Sequence, residues 1–314
     1  MRKKLLCATL VGLVAGCGGG GGAASSPDAQ VVADDANAQE TAAETSPYCT
    51  SKSALTSVTD LSGTWVARMT EAQVANAQFV GVMHTQNIYY LLLTIAQDGT
   101  SLVADGRYCD RKVVNSSKTS NLASVVIPDA WAHTETPVHR PGSFSVGPDG
   151  IPIFALSTYT EIIGANLVNP TDVLPSTSTD PRLVDQDGDT NPGITVVISG
   201  VVNGSLYSVQ RQISSVSAIP VTTDRVEGAL TFTSEQSVVG SDRSSLVGIY
   251  AAASTSTDPE LCNSGFIMVR ISNVTTVDGG TAVDGGTAID GGESVDGGSV
   301  GCEWVRANEA VLFP

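Results

Sequence analysis

The feature that most constrains the fold is a set of tight-turn motifs, each lying between two stretches of alternating or β-branched residues. Asp-Gly and Asn-Gly dipeptides accommodate the positive φ angles that short hairpin loops require. Three motifs join pairs of candidate strands: Asp98-Gly99 joins 88–97 to 101–108, Gly147-Pro148-Asp149-Gly150 joins 143–146 to 151–156, and Asn203-Gly204 joins 194–202 to 205–213. The sequence therefore predicts consecutive antiparallel hairpins.

The remaining periodic segments extend this pattern. Further strands are predicted at 61–69, 247–252 and 266–272, and a short helix is predicted at 70–78. Roughly eight to ten strands, linked mostly by hairpins, indicate an all-β fold built as an antiparallel meander. Such a meander removes its exposed edges either by closing into a barrel or by folding into a sandwich, and the pattern leaves both arrangements open.

A tryptophan motif opens the first predicted strand. Leu61-Ser62-Gly63-Thr64-Trp65 resembles the GxW opening of the lipocalin-like barrels. The resemblance implies that Trp65 plugs the closed end of a barrel and that a late arginine, Arg270 or Arg306, packs on it. A lipocalin-like barrel with an open, lined interior would carry a small apolar ligand.

The start of the chain has the pattern of an export signal. Three basic residues precede an apolar run at 5–14, which is too short to span a bilayer permanently. The small residues before Cys17 resemble the bacterial lipobox, which implies cleavage of residues 1–16 and acylation of Cys17. Segment 17–47 has no Lys, Arg or aromatic residue, so we expect a disordered tether, followed by a single β domain over 48–314.

Charge and localisation follow from this expected processing. Loss of residues 1–16 leaves 13 basic against 32 acidic residues, a net charge of −19. Such an excess repels phosphate backbones, which argues against nucleic-acid binding, and it favours cations. The chain resembles the Gly- and Asp-rich lipoproteins of myxobacteria and their relatives. Gly18, rather than Asp, directly after Cys17 resembles an outer-membrane address, so we expect an envelope protein anchored in the outer membrane through Cys17, facing the periplasm or the exterior.

Four cysteines remain in the predicted β domain. In an oxidising compartment they are expected to form disulfides, and chain order favours Cys49 with Cys109 and Cys262 with Cys302. Between the last two lies a six-residue repeat of the type VDGGTA, present four times over 277–300. Its period differs from that of calcium-binding β-rolls, so we expect a flexible insert, with weak calcium binding as the alternative.

Three aspartates at alternate positions form the candidate metal site. In a strand, Asp185, Asp187 and Asp189 would share one face and repel, whereas in a loop their carboxylates could surround a cation, with Asn191 adding a carbonyl. The stretch resembles the DxDGDG loops of thrombospondin type 3 and integrin FG-GAP repeats. It departs from them at Thr190, where glycine is usual, and at Gly193, where aspartate is usual. We therefore expect weak calcium binding, with Kd of roughly 10⁻⁴ to 10⁻³ M, against the alternative of a solvated turn.

The sequence contains no HExxH or P-loop motif. His133, Glu135 and His139 could form a His, Glu, His metal set, although neighbouring prolines favour a loop of surface residues. We therefore expect no enzyme activity and name no catalytic residue. The expected function is that of a lipid-anchored envelope protein with a structural or adhesive role, stabilised by weak calcium binding. A carrier of a small apolar ligand is the alternative, and a metal-dependent enzyme is a third.

Overall fold

Strands dominate the structure, a computed structural model that describes residues 54–77, 81–115, 123–147, 149–200, 203–251, 254–271 and 300–314. The predicted signal peptide, the tether with Cys17, Cys49, and nearly all of the repeat insert lie outside these residues. The described strands are β1 (Gly63–Ala77), β2 (Gly81–Asp98), β3 (Ser101–Asn115), β4 (Ala123–Val126), β5 (Pro137–Val146), β6 (Pro152–Ile163), β7 (Ile194–Gly200), β8 (Gly204–Thr222), β9 (Arg225–Ser241), β10 (Ser254–Thr257) and β11 (Gly265–Arg270).

Among the described residues, three short α-helices accompany the strands. They are α1 (Asp129–Ala132), α2 (Ser244–Ala251) and α3 (Cys302–Leu312). Within the described part of the chain, none of the helices has the length and apolar character that crossing a lipid bilayer requires.

The strands form one antiparallel sheet that closes on itself. Eight of them pair in the order of the chain, β1-β2-β3-β5-β6-β8-β9-β11, and β11 pairs back with β1. β7 pairs with the first residues of β8, β4 pairs with β7, and β10 pairs with the end of β1. The predicted all-β antiparallel meander is confirmed, and eight of the described strands form a ring of consecutive pairings.

The three predicted hairpins are present. The last cross-strand residue pairs before their turns are Asp98↔Ser101, Val146↔Pro152 and Ile198↔Gly204. In the first, Gly99 has φ of 59°, the left-handed conformation that glycine adopts without steric cost. These elements were predictable because a hairpin turn is specified by the few residues within it.

Two local predictions were wrong. Segment 70–78 is not a helix, because β1 continues to Ala77 and pairs with β2 from Thr70↔Ile88 to Ala77↔Gly81. Helix propensities differ by less than about 1 kcal/mol per residue, so an unbroken ladder overrides them. Segment 247–252 is not a strand but belongs largely to α2, whose Leu246 is fully buried against β7 and β8.

The main apolar core fills the inside of the ring and takes residues from all eight strands. Trp65 lies in it fully buried, and its indole Nε1 donates to Leu61 O over 2.9 Å. The Arg270 guanidinium lies 4.3 Å from the Trp65 ring centroid, which confirms the predicted tryptophan–arginine contact. Arg306, the other candidate, instead donates to Cys109 O.

A disulfide fastens α3 to the outside of the ring. Cys302 is bonded to Cys109, so the predicted pairings of Cys262 with Cys302 and of Cys49 with Cys109 were wrong. The reason lies in a β-bulge, which leaves Cys109 without a partner in the β2–β3 register and directs it outward. There α3 packs over an outer apolar cluster that includes Val66, Tyr90 and Leu92.

Candidate functional site

The predicted calcium loop, residues 184–193, leads directly into β7. Backbone hydrogen bonds close its base, since Gln186 N donates to Gly193 O and Gly193 N donates to Val184 O, both over 3.1 Å. Gly193 has φ of 86°, and a Cβ there would lie 2.4 Å from Ser208 O. The loop can therefore dock this closely on β8 only with glycine at this position.

The structure brings the three predicted aspartates together. Asp185, Asp187 and Asp189 each offer a carboxylate oxygen within 4.8 Å of the others. Asp185 and Asp189 are exposed, and Asp187 is half-buried. Among the residues that the structure describes, this is the one group of His, Cys, Asp and Glu side chains with metal-ligand spacing.

Backbone N–H groups hold these like charges near one another. Asp185 accepts from the backbone N of Asp189 (3.1 Å) and of Thr190 (2.9 Å). Asp187 accepts from Thr195 N at 2.7 Å, and Asp189 accepts from Asn191 N at 2.8 Å. Because hydrogen bonds to a carboxylate are charge-assisted, they offset part of the mutual repulsion.

Asp187 and Asp189 differ in their electrostatic surroundings. Burial raises the pKa of Asp187, and the neighbouring Asp189 charge adds to this, although the Thr195 N–H opposes it. Burial also acts to raise the pKa of Asp189, but hydrogen bonds from Thr195 and Asn191 outweigh it and lower that pKa. Asp187 Oδ1 is buried and has no hydrogen-bond partner among the described residues. An oxygen of this kind, beside two further carboxylates, is the ligand type that calcium prefers.

One of the two departures from the DxDGDG pattern, Thr190, also has a structural counterpart. Thr190 has φ of 74°, so it adopts the left-handed conformation that glycine adopts in the related loops. Asn191 uses its side-chain amide to donate to Asp189 Oδ2 over 3.1 Å. Its side chain therefore orients Asp189.

The second candidate metal set does not converge. His133 Nε2 lies 3.5 Å from Asp110, whereas His139 Nδ1 lies 2.5 Å from Asp105, its cross-strand partner on β3. Glu135 lies between Arg107 (3.7 Å) and Arg306 (3.6 Å). Each side chain thus has a separate partner, and the three form no common ligand sphere.

A cluster inside the ring was missed by the sequence analysis. We call it the polar layer; it comprises Glu71, Tyr89, Tyr108, Arg111, Arg140, Glu161 and Gln212, all buried. Arg111 donates to Glu161 over 2.9 Å, and its guanidinium lies 4.5 Å from the Tyr108 ring centroid. Gln212 donates to Tyr89 OH over 2.5 Å.

Burial controls the ionisation of the polar layer. It raises the pKa of Glu71 to about 8, assisted by the negative charge of Glu161 and opposed by hydrogen bonding to Tyr89. Burial likewise raises the pKa of Glu161, against the opposing effect of Arg111. The available sequence signal was a single charged residue at a core-facing position of an apolar strand, as with Glu161 in the run TYTEII.

Comparison with known proteins gave no match for this chain among protein-family models, curated proteins or solved structures.

Proposed function

We propose that the acidic loop binds one calcium ion and that the β domain is a structural or adhesive module of the bacterial envelope, anchored through acylated Cys17. The observation that carries this proposal is the convergence of Asp185, Asp187 and Asp189 within 4.8 Å of one another. Their charges add to the strong acidity of the whole chain, which attracts cations.

Calcium would act on the long connection between β6 and β7. This connection, residues 164–193, packs through Ala165, Leu174 and Leu183 against an apolar cluster with Val209 and Val239. A cation bound by the three carboxylates would fix its final turn, which already contacts β8 at Ser208. The role of the metal is therefore stabilisation of a surface loop, and no catalytic step is assigned to it.

Thermal melting tests the calcium proposal. Calcium should raise the melting temperature over that in chelator, and at a tenfold excess over Kd the expected stabilisation is about 1.4 kcal/mol. The double variant Asp185→Asn/Asp187→Asn should lose this gain, whereas Asp149→Asn, at an exposed hairpin turn, should keep it. An equal gain in the double variant and the wild type would contradict the proposed site.

The alternative of an apolar-ligand carrier receives weaker support. The Trp65–Arg270 contact agrees with the GxW resemblance, but Trp65 is packed among buried side chains of the core. A carrier of this class requires an open interior lined by apolar groups. Native mass spectrometry of purified protein distinguishes the two functions, since a carrier would retain an apolar molecule and a structural module would not.

A further inference from the structure

The polar layer contains a positive charge, on Arg140, that has no ionic partner among the residues that the structure describes. Its four charged side chains are each at most 5% exposed. Arg111 is paired with Glu161, but within the described residues no carboxylate lies at ion-pair distance from Arg140. Arg140 instead donates to neutral oxygens, the backbone carbonyls of Ser157 and Ser214, both over 3.0 Å. An isolated buried charge is costly unless a counter-charge reaches it.

Several atoms of the polar layer also lack hydrogen-bond partners in the described part of the chain. These are Nε of Arg140, Nε and Nη1 of Arg111, Oε2 of Glu71 and Oε2 of Glu161. A buried, unsatisfied group costs about 1–3 kcal/mol, and more when it is charged. The polar layer thus offers both donors and acceptors to a bound molecule.

A cavity that we call the slot lies in the wall of the ring, between β9 and β10. After Gly228, β9 is paired with β8 but no longer with β11, and β10 is paired only with β1. Among the described strands, the neighbouring edges of β9 and β10 are therefore not joined by backbone pairing. The slot has a volume of about 210 Å³. It is lined by Gln73, Phe232, Thr233, Ser234, Ser256 and Thr257.

Strand register places the slot beside the polar layer. Gln73 lies two residues beyond Glu71, and both are buried on the inward face of β1. Ser234 is the cross-strand partner of Gln212, which is in turn the partner of Glu161. Phe232 is the partner of Ser214, the residue that accepts from Arg140. A molecule in the slot is therefore one side-chain layer from the unpartnered groups.

We propose that the polar layer binds a small carboxylate, which enters through the slot between β9 and β10 and accepts hydrogen bonds from Arg140 and Arg111. One negative charge would balance the charge of Arg140, because Arg111 is already paired with Glu161. A slot of this size is below the roughly 300–1,000 Å³ of drug-sized pockets, so the ligand is a short-chain monocarboxylate. A cationic ligand is disfavoured, since both guanidinium groups would repel it.

Glu71 makes this binding dependent on pH. Its raised pKa of about 8 means that Glu71 is a neutral hydrogen-bond donor at pH 6.5. The groups that face it are Glu161 from β6, Arg111 from β3, Arg140 from β5 and Tyr89 from β2. When Glu71 ionises, it supplies the missing negative charge, so carboxylate binding should weaken as the pH rises past 8.

Acetate is the probe, tested at constant ionic strength against chloride and against acetamide, its neutral analogue. At pH 6.5 the melting temperature should rise with acetate concentration, and the NMR signal of ¹³C-labelled acetate should broaden on adding protein. Acetamide should produce neither effect, and acetate should lose both at pH 9.5. An equal response to acetamide, or no response to acetate, would overturn the proposal.

Two variants locate the site. Ser234→Leu fills the slot from the wall and should lower acetate affinity at least tenfold, whereas Thr231→Leu, at an exposed position of the same strand, should leave it unchanged. Arg140→Gln should also lower affinity at least tenfold. If Arg140→Gln does not fold, Ser234→Leu still decides, because wild-type affinity in that variant would contradict the proposal. In variants that lose acetate binding, calcium should still raise the melting temperature. The acetate proposal and the calcium proposal can therefore fail independently of each other.

Discussion

The acidic loop and the polar layer both concentrate charged side chains, but they balance these charges in different ways. In the acidic loop, carboxylates of like sign lie near the surface and accept hydrogen bonds from backbone N–H groups. In the polar layer, two glutamates and two arginines are buried together, with one ion pair and one glutamate of raised pKa. The polar layer thus retains one positive charge, on Arg140, while Glu71 is protonated, whereas the acidic loop retains negative charge that a solvent cation can balance.

The largest expected effect comes from removing one member of the buried ion pair. Arg111→Met leaves Glu161 buried without its cation, so we expect a loss of about 3–5 kcal/mol in the free energy of unfolding. The double variant Arg111→Met/Glu161→Met should recover most of this loss. Urea denaturation measures both. A single variant within about 1 kcal/mol of wild type would show that the ion pair is not coupled to the fold.

The next effect concerns the proton on Glu71. A carboxyl group whose pKa is raised to about 8 in the folded state keeps its proton while the unfolded chain loses it near 4.5. The contribution of Glu71 to the free energy of unfolding is therefore fully present below pH 4.5, and it decreases as the pH rises from 4.5 to about 8. Glu71→Gln should flatten this decline and stabilise the protein at pH 9, by a few kcal/mol.

The matched control for this prediction is Glu303→Gln, on an exposed side chain of α3. It removes one carboxylate without changing the polar layer, so the pH dependence of unfolding should persist. The comparison with the acidic loop would break if Glu71→Gln unfolded with the same pH dependence as wild type, because Glu71 would then not hold its proton in the folded state.

A charge-neutral substitution in the acidic loop should have a smaller effect, with a sign that depends on calcium. In chelator, Asp187→Asn relieves repulsion from Asp189 and removes a desolvated charge, so it should stabilise the fold by about 0.5–1 kcal/mol. In calcium it should be less stable than wild type, because a ligand is lost. Chemical denaturation in both conditions measures this reversal. Destabilisation in both would mean that the loop carboxylates are already balanced without a cation.

The smallest effect is expected at Thr190. Because Thr190 has φ of 74°, Thr190→Gly should relieve backbone strain in the loop. The greater conformational entropy of glycine in the unfolded chain cancels part of this gain, so the expected net stabilisation is about 0.5 kcal/mol. Hydrogen exchange of the loop amides is the sensitive measurement. Thr177→Gly, elsewhere in the same connection, is the comparison variant. Faster exchange in Thr190→Gly than in wild type would contradict a strained conformation.

Features specified by neighbouring residues were predictable from the sequence, and features that depend on distant contacts were not. The hairpin turns and the spacing of Asp185, Asp187 and Asp189 lie within a few residues, so the turns and the converging carboxylates were found. The alternation of apolar and polar residues along a strand shows that its two faces have different surroundings. It does not show that Glu71, a charged residue, lies on the face directed into the ring. Only closure of the ring brings Glu71 to Arg111 and Arg140, because these residues lie on different strands.

The cysteine pairing failed for the same reason. Proximity in sequence favoured Cys262 with Cys302, but the observed partner of Cys302 is 193 residues away. That pairing depends on a bulge in β3 and on the position of α3, neither of which leaves a local pattern. The Trp65–Arg270 contact was anticipated only through a resemblance between short motifs.

Isothermal titration of the protein with calcium at pH 7 tests the central claim, that the acidic loop is balanced by a cation from solvent. We predict a single site with Kd of roughly 10⁻⁴ to 10⁻³ M, absent from Asp185→Asn/Asp187→Asn. Absence of any saturable calcium binding in the wild type, or unchanged binding in the double variant, would contradict it.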